Sequence, residues 1–113
     1  MSPSGDRGPG EPIEVVQGVD EDRIVVRADL DLSRAETLRI RALDVLAAGG
    51  GRRLVIDLTG TPFLDSSGVQ ALVRTAAAAG PGGFRVIARG QPYQVLELTE
   101  VLQLLGVERA DRP

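Results

Sequence analysis

The fold is decided by one stretch of the sequence, Leu54-Val55-Ile56-Asp57-Leu58-Thr59-Gly60-Thr61-Pro62-Phe63-Leu64-Asp65-Ser66-Ser67-Gly68-Val69-Gln70-Ala71-Leu72. Its first residues belong to a compact apolar run, residues 52–58, of the kind that forms a strand covered on both faces of a sheet. A loop follows, and Asp65-Ser66-Ser67-Gly68 then precedes apolar residues at helical spacing. The stretch therefore predicts a buried strand, a loop and a helix that begins at the Asp-Ser-Ser-Gly segment.

Strand and helix patterns also occupy the sequence before this stretch. Two short β-branched runs, Ile13–Gln17 and Arg23–Ala28, are separated by a turn-rich segment and predict two strands. Ser33 and Glu36 have the spacing of a capping box, with Ser33 as the N-cap of a helix. That helix is expected to end at the glycines of residues 49–51.

The sequence after the stretch continues the alternation of helices and strands. The helix that begins near Asp65 is expected to end at the Gly-Pro-Gly-Gly segment of residues 80–83. Phe84–Ala88 predicts another strand. Pro92 suits the first turn of a third helix that runs to about Glu100, and a short last strand is predicted near Gln103–Val107.

This order of elements predicts the fold class. Strand-helix-strand units place helices over a largely parallel sheet, with right-handed crossovers. The two N-terminal runs are close enough to form an antiparallel hairpin at one edge. We therefore expect an α/β sandwich, a mixed, mostly parallel sheet with an antiparallel N-terminal hairpin and helices packed on it. One domain is expected over residues 13–108, between a disordered Pro/Gly/Ser-rich tail, residues 1–12, and a flexible C-terminal tail, residues 109–113.

The composition excludes several kinds of chemistry. The 113 residues include no cysteine and no histidine, and all 13 basic residues are arginine. A Ser-His-Asp triad, a cysteine- or histidine-based metal site and a phosphate-binding lysine loop are therefore impossible. The chain is not expected to be an enzyme, and neither a metal nor a cofactor is expected.

Charge and hydropathy bear on partners and compartment. The net charge is −3 and the arginines are scattered, which gives no support to nucleic-acid binding. No apolar run approaches the ~20 residues that a membrane span needs. Residues 1–7 lack the apolar segment of a signal peptide. The sequence therefore predicts a cytoplasmic protein, and it does not indicate an oligomeric state.

The Asp-Ser-Ser-Gly segment is the candidate functional site. Ligand sites in α/β folds collect at the carboxyl ends of parallel strands, where this loop is expected. The free amides and the dipole of a helix N-terminus favour an anion, so a hydroxyl there could be presented to an enzyme and a phosphate tolerated. Asp, Ser and Gly are also the residues that a helix start needs. Taken alone, the tetrapeptide favours plain capping.

A resemblance supports the functional interpretation. The order of elements, the Leu-Val-Ile-Asp-Leu strand and the run Phe63-Leu64-Asp65-Ser66-Ser67-Gly68-Val69 resemble the STAS family, specifically bacterial anti-sigma factor antagonists. The resemblance covers about residues 11–108 and is most specific over residues 52–73. It implies that Ser66, directly after the aspartate, is phosphorylated by a partner anti-sigma factor that is also a serine kinase.

The resemblance also implies roles for neighbouring residues. Asp65, Ser67 and Gly68 would surround the switch, and Asp31 falls on a family aspartate that lies near the phosphorylatable serine. Asp31 could equally serve only to cap the first helix, and Ser67 is a neighbour or cap more readily than the acceptor. The chain departs from the family at Ala28 and Glu100, where glycine is usual.

The function implied is partner switching. The unphosphorylated protein would bind an anti-sigma factor and displace the sigma factor, phosphorylation of Ser66 would end binding, and a serine phosphatase would restore it. The alternative is a STAS module without a switch, either the accessory subunit of a lipid or anion transport system or a scaffold subunit of a sensory assembly. In that case Ser66 would be only a cap or contact.

Overall fold

The computed structural model of the protein describes residues 11–110 and has eight elements of regular structure. The strands are β1 (Ile13–Val16), β2 (Glu21–Val26), β3 (Arg53–Asp57), β4 (Phe84–Ala88) and β5 (Val107–Arg109). The helices are α1 (Leu32–Ala48), α2 (Ser66–Ala79) and α3 (Gly90–Leu98). The predicted N-terminal tail lies outside the described residues except for Glu11 and Pro12, and residues 111–113 lie outside them as well.

The five strands form one mixed sheet in the order β1-β2-β3-β4-β5. β1 pairs with β2 antiparallel, with Ile13 opposite Val26, and every other neighbouring pair is parallel. The predicted sandwich, including its antiparallel hairpin at one edge, is confirmed. Each parallel strand connection contains one helix, so the carboxyl ends of β2, β3 and β4 and the amino ends of α1, α2 and α3 lie at the same edge.

The core lies between the three helices and one face of the sheet. Alternate residues of the central strands, among them Ile24, Leu54, Ile56 and Val86, belong to one apolar cluster with residues of all three helices. Val55 points to the other face and is also fully buried. Its direct neighbours there are Arg23 on β2 and Arg85 on β4. The centre of β3, Leu54-Val55-Ile56, is therefore buried on both faces as predicted, and beside Val55 the neighbours are arginines, whose long apolar stems can cover it, instead of a second helical layer.

The start of α1 differs from the predicted capping box. Asp31 is the N-cap, in an extended conformation, and its carboxylate accepts a hydrogen bond from the Arg34 amide at 3.3 Å. Ser33 lies inside the first turn and donates its hydroxyl to the same carboxylate at 2.7 Å. Glu36 pairs with Arg39 instead of reaching back. The cap falls on Asp31 because the preceding residue, Leu30, is held by a β-bridge and so ends the extended segment there.

The C-terminal region also differs from the prediction. Residues 102–106 form turns that bury Leu105 completely, and Gly106, with φ of 59°, redirects the chain. The last strand therefore begins at Val107 instead of near Gln103, because Leu105 contributes more by packing on the core than by pairing in the sheet. Arg109, assigned to the flexible tail, is the last residue of β5.

Glu100 adopts a backbone conformation that favours glycine. The predicted third helix ends at Leu98, and Glu100, two residues later, has φ of 62°. Among residues 11–110 it is the one residue other than glycine with positive φ, and Ala28, the other departure from the family pattern, is not strained in this way. A side chain in this region costs roughly 1–2 kcal/mol.

We expect Glu100→Gly to stabilise the protein. The relieved strain exceeds the extra backbone entropy that glycine brings to the unfolded chain, so the free energy of unfolding should rise by about 0.5–1 kcal/mol. Glu97→Gly, at an exposed site inside α3, is the matched control and should lower it by about 0.5–1 kcal/mol. Urea unfolding of both variants checks this. A loss of stability in both would contradict the assignment of strain to Glu100.

Candidate functional site at the start of helix α2

Ser66 is the first residue of α2 and is exposed. The N-cap is Asp65, whose carboxylate accepts a hydrogen bond from the Gly68 amide at 3.1 Å. Ser67 is half-buried. Within residues 11–110 no hydrogen bond engages the Ser66 hydroxyl. Asp65 therefore caps α2, and the exposed Ser66 hydroxyl takes no part in the cap.

The starts of α1 and α2 lie side by side. Leu30 and Leu64 form a parallel bridge, in which the Leu30 amide donates to the Phe63 carbonyl at 2.8 Å and the Asp65 amide donates to the Leu30 carbonyl at 3.3 Å. The next residue of each segment, Asp31 or Asp65, caps its helix. Asp31 thus lies beside the Asp65-Ser66 segment, the neighbourhood that the resemblance implies for it. Its capping contact is shown by the geometry, and a role in switching stays a prediction.

Gly68 lets the first turn of α2 approach Leu30 closely. A Cβ atom at this buried position would lie 2.6 Å from the Leu30 carbonyl oxygen and 3.0 Å from Leu30 Cγ, and it would also overlap Leu64 Cδ1. No side chain fits without movement of the bridge or the helix. The glycine of the Asp-Ser-Ser-Gly segment therefore has a packing role that sets the position of the whole segment.

Asp31 is held in its ionised form by local hydrogen bonds. The Ser33 hydroxyl has the largest effect and, together with the Arg34 amide, lowers the pKa of Asp31, while partial desolvation opposes the shift. A carboxyl group whose pKa is lower in the folded state stabilises the fold above its unfolded-state pKa. This contribution is lost as the pH falls through the folded-state pKa.

Replacing Asp31 should therefore change how stability depends on acid. We expect wild-type stability to fall below about pH 4, the range in which aspartate titrates, and Asp31→Asn to show a shallower fall there. Asparagine keeps a capping oxygen but cannot titrate. Thermal melts across acid and neutral pH measure this, with Asp44→Asn at an exposed site of α1 as the control. Parallel curves for wild type and Asp31→Asn would contradict the assignment.

The surface around Ser66 combines exposed apolar and charged side chains. Leu32, the first residue of α1, is 75% exposed, and Phe63, in the loop before α2, is 45% exposed. Between α1 and α2 runs a shallow groove lined by Leu32, Glu36, Arg39, Ser67, Gln70 and Arg74. Exposed apolar side chains grouped at one site are typical of protein-binding surfaces.

Gln91 belongs to the site although no sequence pattern predicts it. It lies in the first turn of α3, and its side-chain oxygen accepts a hydrogen bond from the Leu64 amide at 2.8 Å. Its side-chain nitrogen donates to the Leu64 carbonyl at 3.1 Å. A polar residue before Pro92 at a helix start carries no signal of such a contact, because the two residues are 27 positions apart.

Asp57, at the end of β3, has a structural role. One carboxylate oxygen accepts hydrogen bonds from the Thr59 amide at 2.9 Å and from the Thr59 hydroxyl at 2.7 Å. The other accepts from Arg23 at 3.3 Å. Asp57 thus anchors the loop that leads to Ser66. Within residues 11–110 no group of three or more Asp and Glu residues is arranged to hold a metal ion.

Comparison with known proteins identifies a family that matches nearly all of the described residues. A family model described as "Mlab, STAS domain" matches residues 13–109. A solved anti-sigma factor antagonist from Mycobacterium paratuberculosis is similar, with 28% identity, a TM-score of 0.77 and coverage of 84% of this chain and 82% of that chain. No curated protein sequence matches significantly.

Two further solved structures share the fold at lower identity. The anti-sigma factor antagonist SpoIIAA, in its unphosphorylated form, is 19% identical, with a TM-score of 0.59 and coverage of 89% of both chains. The murine anion transporter Slc26a9 is 20% identical, with a TM-score of 0.60, over 83% of this chain but only 17% of the transporter. In residues 11–110 of the present protein, no helix has the length and apolar character needed to cross a membrane.

Proposed function

The chain belongs to the STAS-domain family, and on this premise we propose that it is an anti-sigma factor antagonist that phosphorylation of Ser66 switches off. The observation that carries the proposal is an exposed serine directly after the capping aspartate of α2. The exposed Phe63 precedes it by three residues, and the exposed Leu32 lines the same groove as its neighbour Ser67. The similarity to an antagonist at 28% identity supports it.

The unphosphorylated protein would act by binding. Its Ser66 surface would dock on an anti-sigma factor that is also a serine kinase, and the sigma factor would be displaced. The partner would supply ATP, the Ser66 oxygen would attack the γ-phosphorus, and ADP would leave from the partner while the hydroxyl proton is released. The chain is then a kinase substrate and not an enzyme, it needs no cofactor or metal, and it works in the cytoplasm where ATP is available.

Phosphorylation would end binding through charge. A phosphoserine carries about −1.5 to −2 charges at pH 7. At Ser66 this charge would lie next to Asp65 and near Asp31, on a protein whose net charge is already −3. A partner surface matched to a neutral hydroxyl would meet like charge or lose hydration without compensation, either of which costs several kcal/mol. A serine phosphatase would remove the phosphate and restore binding.

The geometry favours Ser66 over Ser67 as the acceptor. Ser66 is exposed, whereas Ser67 is half-buried and lines the groove between α1 and α2. A kinase active site must surround the hydroxyl that it phosphorylates, so the more exposed serine is the better substrate. Asp65, Ser67, Gly68 and Asp31 would then form the neighbourhood that positions the acceptor.

We expect Ser66→Ala to bind the partner permanently. The variant lacks only an exposed hydroxyl and should fold as the wild type does. When the immobilised wild type and Ser66→Ala are incubated with cell extract, both should capture the same anti-sigma factor. Added ATP should then release it from the wild type but not from Ser66→Ala. Ser67→Ala is the matched control and should respond to ATP as the wild type does. Release from Ser66→Ala on addition of ATP would refute the proposal.

A non-switching STAS module is the second candidate, favoured by the similarity to part of an anion transporter. In that function Ser66 would be a surface contact of an accessory or scaffold subunit. The same capture experiment separates the two, because a transport or sensory subunit would be retained equally with and without ATP by the wild type and by Ser66→Ala.

A further inference from the structure

Leu64, the residue that precedes the capping aspartate of α2, has both of its peptide groups held by hydrogen bonds from two sides. On one side, the Leu30 carbonyl accepts a hydrogen bond from the Asp65 amide, and the Leu30 amide donates one to the Phe63 carbonyl, so that Leu30 and Leu64 form a bridge. On the other side, the side chain of Gln91 engages both the amide and the carbonyl of Leu64. Leu64 is itself buried, with 1% exposure.

The chemistry of this contact is specific to a carboxamide. One side-chain group must present an acceptor to the Leu64 amide and a donor to the Leu64 carbonyl, as a neighbouring strand would do. The distances of 2.8 Å and 3.1 Å show that Gln91 satisfies both at once. A carboxylate offers acceptors alone, and an alkyl side chain offers neither.

The contact links two helix starts. Gln91 lies in the first turn of α3, next to the buried Pro92, so its backbone is anchored by the core. Leu64 is two residues from Ser66 and one from the residue that caps α2. Movement of the Leu64 peptide would therefore move Asp65 and the Ser66 hydroxyl directly.

We propose that Gln91 is a positioning residue, which fixes the Leu64–Asp65 backbone and so holds the Ser66 hydroxyl in the orientation that phosphoryl transfer requires. The part of this inference that concerns phosphorylation rests on the proposed function. Without Gln91 the core and the Leu30 bridge remain, but one side of the segment is released. The orientation of a nucleophile affects the rate of the chemical step within the bound complex more than it affects how readily that complex forms.

The backbone claim is tested on the protein alone by amide hydrogen exchange. In Gln91→Ala the Leu64 amide loses its acceptor, and we expect its exchange to become at least about tenfold faster while amides of β3 and β4 are unchanged. Gln91→Glu keeps an acceptor but turns a second one toward the Leu64 carbonyl, and its Leu64 exchange should lie between those of wild type and Gln91→Ala. Gln94→Ala, on the exposed side of α3, is the control and should exchange as the wild type does. Wild-type protection of Leu64 in Gln91→Ala would overturn the inference.

The functional claim is tested by phosphorylation in cell extract with ATP, with the concentration of the protein varied. For Gln91→Ala we expect the saturating rate of phosphate incorporation at Ser66 to fall at least about fivefold, with the half-saturating concentration within about twofold of wild type. A wild-type saturating rate despite faster Leu64 exchange would overturn the positioning role. Absence of phosphate from wild-type Ser66 would refute the proposed function instead, and the exchange experiment would then decide the backbone claim by itself.

Discussion

Replacing Gly68 with alanine is expected to lower the free energy of unfolding by about 2 kcal/mol. Overpacking costs roughly 1–3 kcal/mol, a close contact with backbone lies at the upper end of that range, and the helix propensity gained offsets up to about 1 kcal/mol. The added methyl group would lie 2.6 Å from the Leu30 carbonyl oxygen, which belongs to a backbone bridge and cannot swing aside as a flexible side chain does. For a domain of this size the midpoint of thermal unfolding should fall by roughly 10 °C.

Gly60 provides the matched control for this substitution. It lies in the loop between β3 and α2, its φ is not positive, and the nearest atom to an added Cβ, Arg27 Cγ, is at an ordinary 3.7 Å. Gly60→Ala should therefore leave the free energy of unfolding within about 0.5 kcal/mol of wild type. Equal effects of Gly68→Ala and Gly60→Ala would show that the contact between α2 and Leu30 does not limit the fold.

Phosphorylation of Ser66 is expected to weaken partner binding at least tenfold, a free-energy change of about 1.4 kcal/mol or more, without remodelling the domain. The phosphate would meet the free amides and the dipole at the start of α2, which favour it by typically 0.3–1 kcal/mol, and repulsion from Asp65 would oppose that gain. The net effect on folding should therefore be small. Binding should suffer most, because the partner surface would be matched to a hydroxyl.

Two measurements separate this electrostatic switch from a conformational one. Backbone amide chemical shifts should change near Ser66 and stay nearly constant across the sheet, while titration calorimetry shows the loss of affinity. Ser66→Asp should reproduce part of the loss of affinity. Ser67→Asp, at the half-buried neighbour, is the control, because it places a negative charge one residue away. Shift changes spread over β1 to β5 would contradict the electrostatic account.

The parts of the fold that local sequence patterns specify could be predicted. The apolar run of β3, the glycines that end α1 and the hairpin at the sheet edge each depend on residues that are close in the chain, and the structure confirms all three. The cover of Val55 could not be predicted in the same way. It depends on which residues of β2 and β4 stand opposite, and that register is set by the whole sheet.

The remaining differences have the same physical origin. The cap of α1 lies at Asp31 and not at Ser33 because a bridge to Leu64, 34 residues away, ends the extended segment at Leu30. The last strand begins late because burial of Leu105 prevails over pairing. At the candidate site, sequence resemblance indicated Ser66 and its neighbours. The contact of Gln91 with Leu64 depends on tertiary structure alone and left no pattern to detect.

Location of the phosphate by mass spectrometry tests the central claim most directly. Wild type, Ser66→Ala and Ser67→Ala should each be incubated with cell extract and ATP, then digested and sequenced by fragmentation. We expect one phosphate on Ser66 in the wild type and in Ser67→Ala, and none on the segment in Ser66→Ala. Phosphate on Ser67, or a wild-type segment that stays unmodified while the anti-sigma factor is bound and ATP is present, would contradict it.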